Sequence, residues 1–188
     1  GSAQPHEVAL LRLLTPLAKL WTGKMAVKLC SEALECFGGA GYIEDTGLPQ
    51  LLRDAQVYAI WEGTTNVLSL DSLRALAGKS PEALRACIAH WLADSDDMHA
   101  ASAVQHTLDA AMRWLDTHGA QRDALEAGAR GLALTLARCA AAALLARQAA
   151  WAKRQRGDLR PGAALRRFVS HGLDRLDTLD AADTALLA

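Results

Sequence analysis

The chain has 188 residues, of which 51% are hydrophobic, 39 are alanine and 32 are leucine. This composition excludes a disordered chain, and the scarcity of aromatic residues (5%) argues against an all-β fold and disfavours a parallel α/β sheet, so we predict an all-α fold. With 20 basic and 21 acidic residues, the net charge of −1 implies no overall attraction to nucleic acid or to an anionic membrane.

The first predicted helix covers Pro16–Cys36. Thr15 can cap free N–H groups, and Pro16 suits the first position of a helix because the N–H that it lacks is not needed there. The sequence His6–Leu14 is also compatible with a separate short helix. The preceding Gly1-Ser2 pair is typical of the remnant of a cleaved expression tag and is left out of the fold prediction.

A glycine cluster, Gly38-Gly39-Ala40-Gly41, is predicted to end the first helix. Three glycines in four positions exceed what a helix end requires, and they bring backbone N–H groups close together, as anion-binding loops do. Taken alone the cluster is a weak signal, because no strand precedes it as in a dinucleotide-binding fingerprint. It is also compatible with a simple helix stop.

The rest of the chain is predicted to be helical, with Ser80-Pro81-Glu82 as a second start signal and the Gly78–Pro81 junction as the one plausible seam. Six or seven helices are predicted in all. The predicted segments after the first helix are about 51–58, 64–77, 81–92, 100–117, 121–156 and 160 to about 179 or beyond.

The cysteines and histidines show no spacing typical of a metal site or a disulfide framework. We therefore predict no metal and an intracellular protein, whose compartment stays open, with reduced cysteines in the core. No apolar run reaches the roughly 18 residues of a membrane span, so none is predicted. The four cysteines are Cys30, Cys36, Cys87 and Cys139.

Three motifs do not look like ordinary helix sequence, and they are Gly38-Gly39-Ala40-Gly41-Tyr42, Arg53-Asp54-Ala55 and Trp61-Glu62-Gly63-Thr64. In this order and spacing they resemble the C-terminal helical domain of the acyl-CoA dehydrogenase family, over about residues 10–77. Thr15-Pro16, Trp61 and the segment Leu70–Arg74 most resemble the branch that contains the bacterial alkylation-response flavoprotein. That branch carries an extra helical extension at its C-terminus, which residues 78–188 match in length and helical character.

The resemblance implies an FAD-dependent oxidoreductase that oxidises the Cα–Cβ bond of an acyl-CoA thioester. Glu62 matches the carboxylate that removes the α-proton while a hydride passes to flavin N5. Such a base must be buried, and Ile60 and Trp61 are expected to supply the apolar surface. The alternative is an inert carboxylate at a helix N-terminus, where the helix dipole favours it.

The resemblance also assigns cofactor-binding residues. Thr64 and Asn66 match positions that contact FAD, and Gly38 and Gly39 match a turn that meets the cofactor of a neighbouring subunit, so a homo-oligomer is expected. Glu35 departs from the pattern, because many members have glutamine there and a carboxylate would repel a pyrophosphate. Arg53 and Asp54 are expected to form a structural ion pair, and the tryptophans are expected in the core.

A typical family member is much longer, so the chain is expected to be a fragment. We predict that residues 3–78 form a partial C-terminal bundle and residues 79–188 a helical extension. Acyl-CoA and an electron acceptor are the partners expected of the complete enzyme. The chain alone is expected to be inert and to bind FAD weakly or not at all.

A second hypothesis makes the extension an oligomerisation or interaction module. Six clustered cations suggest nucleic acid as a less favoured partner, and the competing interpretation is a solvated helix face paired with aspartates. The cations are Lys153, Arg154, Arg156, Arg160, Arg166 and Arg167.

Overall fold

A computed structural model describes residues 3–176 and confirms the all-α prediction, because this part of the chain contains helices and no strand. Two short 3₁₀ helices, Gly38–Gly41 and Glu44–Thr46, join the first two α-helices. The α-helices are α1 (Pro5–Glu35), α2 (Leu48–Tyr58), α3 (Thr65–Leu76), α4 (Ser80–Leu92), α5 (Met98–His118), α6 (Arg122–Arg156) and α7 (Arg160–Ser170).

Helix α1 runs without a break through Pro16, so the predicted helix start at Thr15-Pro16 is wrong. The Thr15 hydroxyl does not cap a new helix but donates to the Leu11 carbonyl oxygen at 2.8 Å. Pro16 removes one backbone hydrogen bond, yet its ring is buried among neighbours that hold the helix against the core. These buried neighbours are Leu13, Leu17 and Leu20.

The start signal at Ser80-Pro81 is confirmed, because α4 begins at Ser80 with Pro81 in its first turn. The Asp97 carboxylate caps α5 by accepting a hydrogen bond from the Ala100 amide at 3.0 Å. Helix α7, in contrast, ends at Ser170 rather than near residue 179, because the chain turns at Gly172 with a φ of 73°. The predicted end itself lies outside the described residues, as does Gly1-Ser2.

Helix α6 forms the centre of the core and packs against α1, α3, α4, α5 and α7. One hydrophobic core includes residues from both sides of the predicted seam at residues 78–81, such as Leu17, Leu84 and Leu136. The division into 3–78 and 79–188 stays a prediction. Alanines line the buried side of α6 and let its neighbours approach closely, at Ala129, Ala133, Ala137, Ala140, Ala142, Ala143, Ala146 and Ala150.

By length and composition, α6 is also the one described helix that could cross a membrane. However, 67% of its most apolar 18-residue window is buried inside the protein. A helix at the centre of a protein core passes the same test, so this property is weak evidence for a membrane span.

The cysteines are free within the described residues, but only Cys139 is fully buried. Cys30 and Cys87 are half-buried, and Cys36 at the end of α1 is exposed. The expectation of core cysteines is therefore wrong for Cys36, because this end of α1 extends beyond the core.

Candidate functional site

The turn between α2 and α3 carries Glu62 in an unusual backbone conformation. Glu62 has a φ of 54° and is the one residue other than glycine with positive φ in residues 3–176. The left-handed region costs an ordinary residue roughly 1–2 kcal/mol. Gly63 follows with a φ of 114°, which only glycine adopts readily. Strain of this kind is concentrated at functional sites, so the turn is a candidate site on its own geometry.

The turn rests directly on α1. The Lys19 ammonium donates to the carbonyl oxygens of Tyr58, at 2.8 Å, and Trp61, at 2.6 Å. One helical turn further along, a Cβ placed at Gly23 would lie 2.8 Å from the Tyr58 oxygen, so the absence of a side chain allows this approach. Lys19 and Gly23 belong to this site although no sequence motif marks them.

The expectation that Ile60 and Trp61 bury Glu62 is wrong for the described chain. Glu62 is exposed, Ile60 is 64% exposed and Trp61 is 66% exposed. Trp61 is therefore not a core residue, whereas Trp21, Trp91 and Trp114 pack against the core. Any desolvation of Glu62 must come from groups outside the described chain that cover this surface. Its large exposed apolar side chains are Val57, Tyr58, Ile60, Trp61 and Val67.

Thr64 and Asn66 lie at the start of α3, directly after the Glu62 turn. Thr64 is the N-cap residue, and within residues 3–176 its hydroxyl caps no amide of the helix. Both side chains are exposed. The first N–H groups of a helix have no acceptor inside the helix and favour an anion. The free N–H groups, the Thr64 hydroxyl and the Asn66 amide thus form a set of donors suited to an anionic group at this helix start.

The glycine cluster contains two kinds of glycine. Gly38 has a φ of 55°, and a Cβ at Gly38 or Gly39 would meet no described atom within 4 Å. Internal packing therefore does not require these two glycines, and their backbone is open to another molecule. Gly41, in contrast, is buried, and a Cβ there would overlap the Leu34 carbonyl group. Gly41 therefore packs directly against the last turn of α1.

The site residues predicted from the sequence fall into two groups. Glu62, Thr64 and Asn66 share one turn and the helix start after it, near Lys19. Glu35, which is exposed, ends α1 just before Gly38. At 1.5 Å per residue, the 16 residues from Lys19 to Glu35 correspond to roughly 24 Å along α1. The two groups therefore form separate surfaces of the described chain.

Arg53 forms an ion pair, but its partner is not the expected Asp54. Its guanidinium makes two hydrogen bonds of 2.8 Å to the two carboxylate oxygens of Glu44. This hydrogen bonding lowers the pKa of Glu44 below its ordinary value. The pair links the second 3₁₀ helix to α2 and is structural.

The cation cluster of the extension is largely neutralised by aspartates. The pairs are Lys153–Asp96 at 2.8 Å, Arg154–Asp94 at 3.5 Å, Arg160–Asp158 at 2.8 Å and Arg166–Asp97 at 3.6 Å. Four of the six cations are thus paired, which favours the solvated-face interpretation over nucleic-acid binding. Among the residues that the structure describes, no group of three or more His, Cys, Asp or Glu side chains is placed to hold a metal ion.

Two protein-family models match the chain. Residues 2–77 match the model described as acyl-CoA dehydrogenase, C-terminal domain, and residues 86–183 match the model described as acyl-CoA dehydrogenase 11 C-terminal domain-like. Both matched segments therefore correspond to C-terminal regions of acyl-CoA dehydrogenases. The chain belongs to the acyl-CoA dehydrogenase family, as its motifs predict.

Similar proteins agree with this assignment. Acyl-CoA dehydrogenase family member 11 of Caenorhabditis elegans is 65% identical over 79 residues, which are 42% of this chain and 13% of that protein. The putative acyl-CoA dehydrogenase AidB of Escherichia coli is 43% identical over 74 residues, which are 39% of this chain and 14% of AidB.

A solved structure matches most of the chain. The crystal structure of C. elegans ACDH-11 in complex with C11-CoA has a TM-score of 0.83 and 38% identity. The match covers 93% of this chain and 31% of that one. The chain thus spans less than a third of the length of these relatives.

Proposed function

We propose that the chain forms one wall of the active site of an FAD-dependent acyl-CoA dehydrogenase, with Glu62 as the base that removes the α-proton of an acyl-CoA thioester. The observation that carries the proposal is the strained, anchored Glu62 turn directly before the α3 start. The names of the relatives, and the C11-CoA complex of the C. elegans protein, support the same class of substrate.

In this proposal FAD, when bound, supplies the acceptor for the hydride that leaves Cβ. Glu62 takes the α-proton on a carboxylate oxygen. An exposed carboxylate is too weak a base for a carbon acid, so the acyl chain and the surface that covers Ile60 and Trp61 must exclude water from Glu62.

Thr64 and Asn66 hold the cofactor at the start of α3, and Gly38 and Gly39 approach the cofactor bound by another copy of the protein. This arrangement requires a homo-oligomer. The exposed Glu35 beside the open glycines weakens that contact by repulsion of the phosphates. Because the chain supplies only one wall of the active site, it is expected on its own to be inert and to bind FAD weakly or not at all. An intracellular location belongs to this proposal, supported by the unpaired cysteines.

The test uses the complete polypeptide that contains this chain, loaded with FAD. Adding acyl-CoA without an electron acceptor is expected to bleach the flavin absorbance, and Glu62→Gln is expected to abolish the bleaching while FAD stays bound. Glu82→Gln, at an exposed position on α4, serves as the control and is expected to bleach normally. Full bleaching by Glu62→Gln would mean that Glu62 is not the base.

A further inference from the structure

We infer that Lys19 is the residue that positions Glu62, by fixing the turn on which Glu62 stands. This inference rests on the proposed function of Glu62 as a base. Lys19 is half-buried on α1, and its ammonium joins two carbonyl groups that lie 39 and 42 residues further along the chain.

The contact with Trp61 reaches the backbone of Glu62 itself. The Trp61 carbonyl and the Glu62 N–H belong to one planar peptide group, so holding the carbonyl oxygen at 2.6 Å also orients that N–H. The φ rotation of Glu62 starts from this plane. Lys19 therefore holds the peptide plane that precedes Glu62. The strained φ of 54° then sets the direction of the Glu62 carboxylate relative to that plane.

The contact with Tyr58 fixes the other side of the turn. Tyr58 is the last residue of α2, where unpaired carbonyl groups carry partial negative charge and attract a cation. A lysine that served only to cap α2 would need this contact alone. Lys19 also holds the carbonyl three residues beyond the helix end, within the turn, and this second contact distinguishes a positioning role from a cap.

Gly23 contributes to the same contact between α1 and the turn. It lies on the same face of α1, four residues after Lys19. A Cβ at position 23 would lie 2.8 Å from the Tyr58 oxygen and 3.3 Å from its carbonyl carbon. The turn would have to move away from α1, and the Lys19 ammonium would lose its reach to one of its acceptors. The absence of a side chain at Gly23 and the length of the Lys19 side chain thus together fix how closely the turn approaches α1.

The first arm of the test measures amide hydrogen exchange in the 188-residue chain, in peptides that cover residues 59–63. Lys19→Met keeps the apolar stem and removes the charged donor, and exchange in the turn is expected to become at least about fivefold faster. Lys24→Met, at an exposed position of the same helix, is the matched control and is expected to leave exchange unchanged. Unchanged exchange in Lys19→Met would overturn the inference.

The second arm uses the complete FAD-loaded protein. Lys19→Met is expected to lower kcat about 100-fold, with KM for acyl-CoA and FAD content unchanged, because a small misplacement of a base has an effect of this size. Lys19→Arg, which still presents charged donors, is expected to restore part of kcat. A fall in kcat that follows loss of FAD, or no rescue by arginine, would indicate a merely structural lysine and overturn the inference.

The outcomes separate the inference from the proposed function. An active Glu62→Gln variant would overturn the proposed function, and with it the positioning of a base by Lys19. An inactive Glu62→Gln variant combined with a fully active Lys19→Met variant would overturn the inference alone. If Lys19→Met does not fold, Lys19→Gln, with a shorter and neutral donor, provides the same comparisons.

Discussion

Arg138 donates two hydrogen bonds to the carbonyl oxygen of Gly172, from Nε at 3.0 Å and from Nη2 at 2.6 Å. Arg138 is only 7% exposed, and burial lowers its pKa from the ordinary value, although arginine remains protonated. Its guanidinium lies 5.0 Å from the ring centre of Trp21 on α1 and 4.8 Å from that of Phe168 on α7. One side chain of α6 thus joins α1 to α7 and to the turn at Gly172 that follows α7.

Replacing Arg138 with methionine is expected to lower the free energy of unfolding by about 2 kcal/mol, because the Gly172 carbonyl loses a charged donor. The free energy of unfolding of Arg138→Lys is expected to lie between those of the native chain and Arg138→Met, since an ammonium lacks the planar fork of a guanidinium. Urea denaturation followed by circular dichroism measures the change. Arg130→Met, at an exposed position of the same helix, should differ from the native chain by less than about 0.5 kcal/mol. Equal effects at both positions would contradict this account.

Gly128 is expected to tolerate no side chain, because a Cβ there would overlap the indole ring of Trp114. That ring is stacked on His118, with 4.5 Å between ring centres, so it cannot move without breaking the stack. Gly128→Ala is expected to lower the free energy of unfolding by about 1–3 kcal/mol.

Gly78 provides the matched control, since a Cβ there would meet no described atom within 4 Å. Gly78→Ala should leave the urea midpoint almost unchanged or raise it slightly, because alanine restricts the unfolded chain. A stable Gly128→Ala variant would show that α5 and α6 are packed less tightly than described.

Cys36 and Cys139 are expected to differ strongly in reactivity. Cys139 is fully buried, and burial raises the pKa of its thiol to about 12, with the Asp174 charge as a smaller cause. Only the thiolate reacts with alkylating agents, and Cys36 is exposed. Iodoacetamide at pH 8, followed by mass spectrometry of peptides, should label Cys36 quickly and Cys139 only in the unfolded chain. Comparable labelling of both in the native protein would contradict the burial of Cys139.

Helix boundaries were predicted correctly where nearby residues determine them, and wrongly where contacts with distant residues do. Ser80-Pro81 marks a true helix start, because a turn precedes it. The similar pair Thr15-Pro16 does not, because the chain before it is already helical and Pro16 faces the core. The end of α7 near Gly172 involves Arg138, 34 residues earlier, and no local pattern could indicate that contact.

The candidate site shows the same distinction. The order of the motifs located the Glu62 turn, the α3 start and the open glycines. Glu62 is not buried within residues 3–176, because its sequence neighbour Trp61 is itself exposed and does not cover it in space. Lys19 was missed because a lysine on a helix has no local signature, and its two acceptors are far along the chain.

The φ of Glu62 leads to a prediction that couples stability to function. Glycine adopts a φ of 54° without strain, so Glu62→Gly is expected to raise the free energy of unfolding of the 188-residue chain by up to about 1 kcal/mol. Part of the gain is offset, because glycine also makes the unfolded chain more flexible. Thermal and urea denaturation measure the change.

Glu62→Gln is the control, because glutamine keeps the strained backbone and removes only the charge; its stability should match that of the native chain. In the complete FAD-loaded protein both variants should lose acyl-CoA-dependent bleaching. The strained conformation of Glu62 would then lower the stability of the fold while it presents a carboxylate at this position. A Glu62→Gly variant that is less stable than Glu62→Gln would show that the turn is not strained, and would remove the backbone argument for a functional residue at position 62.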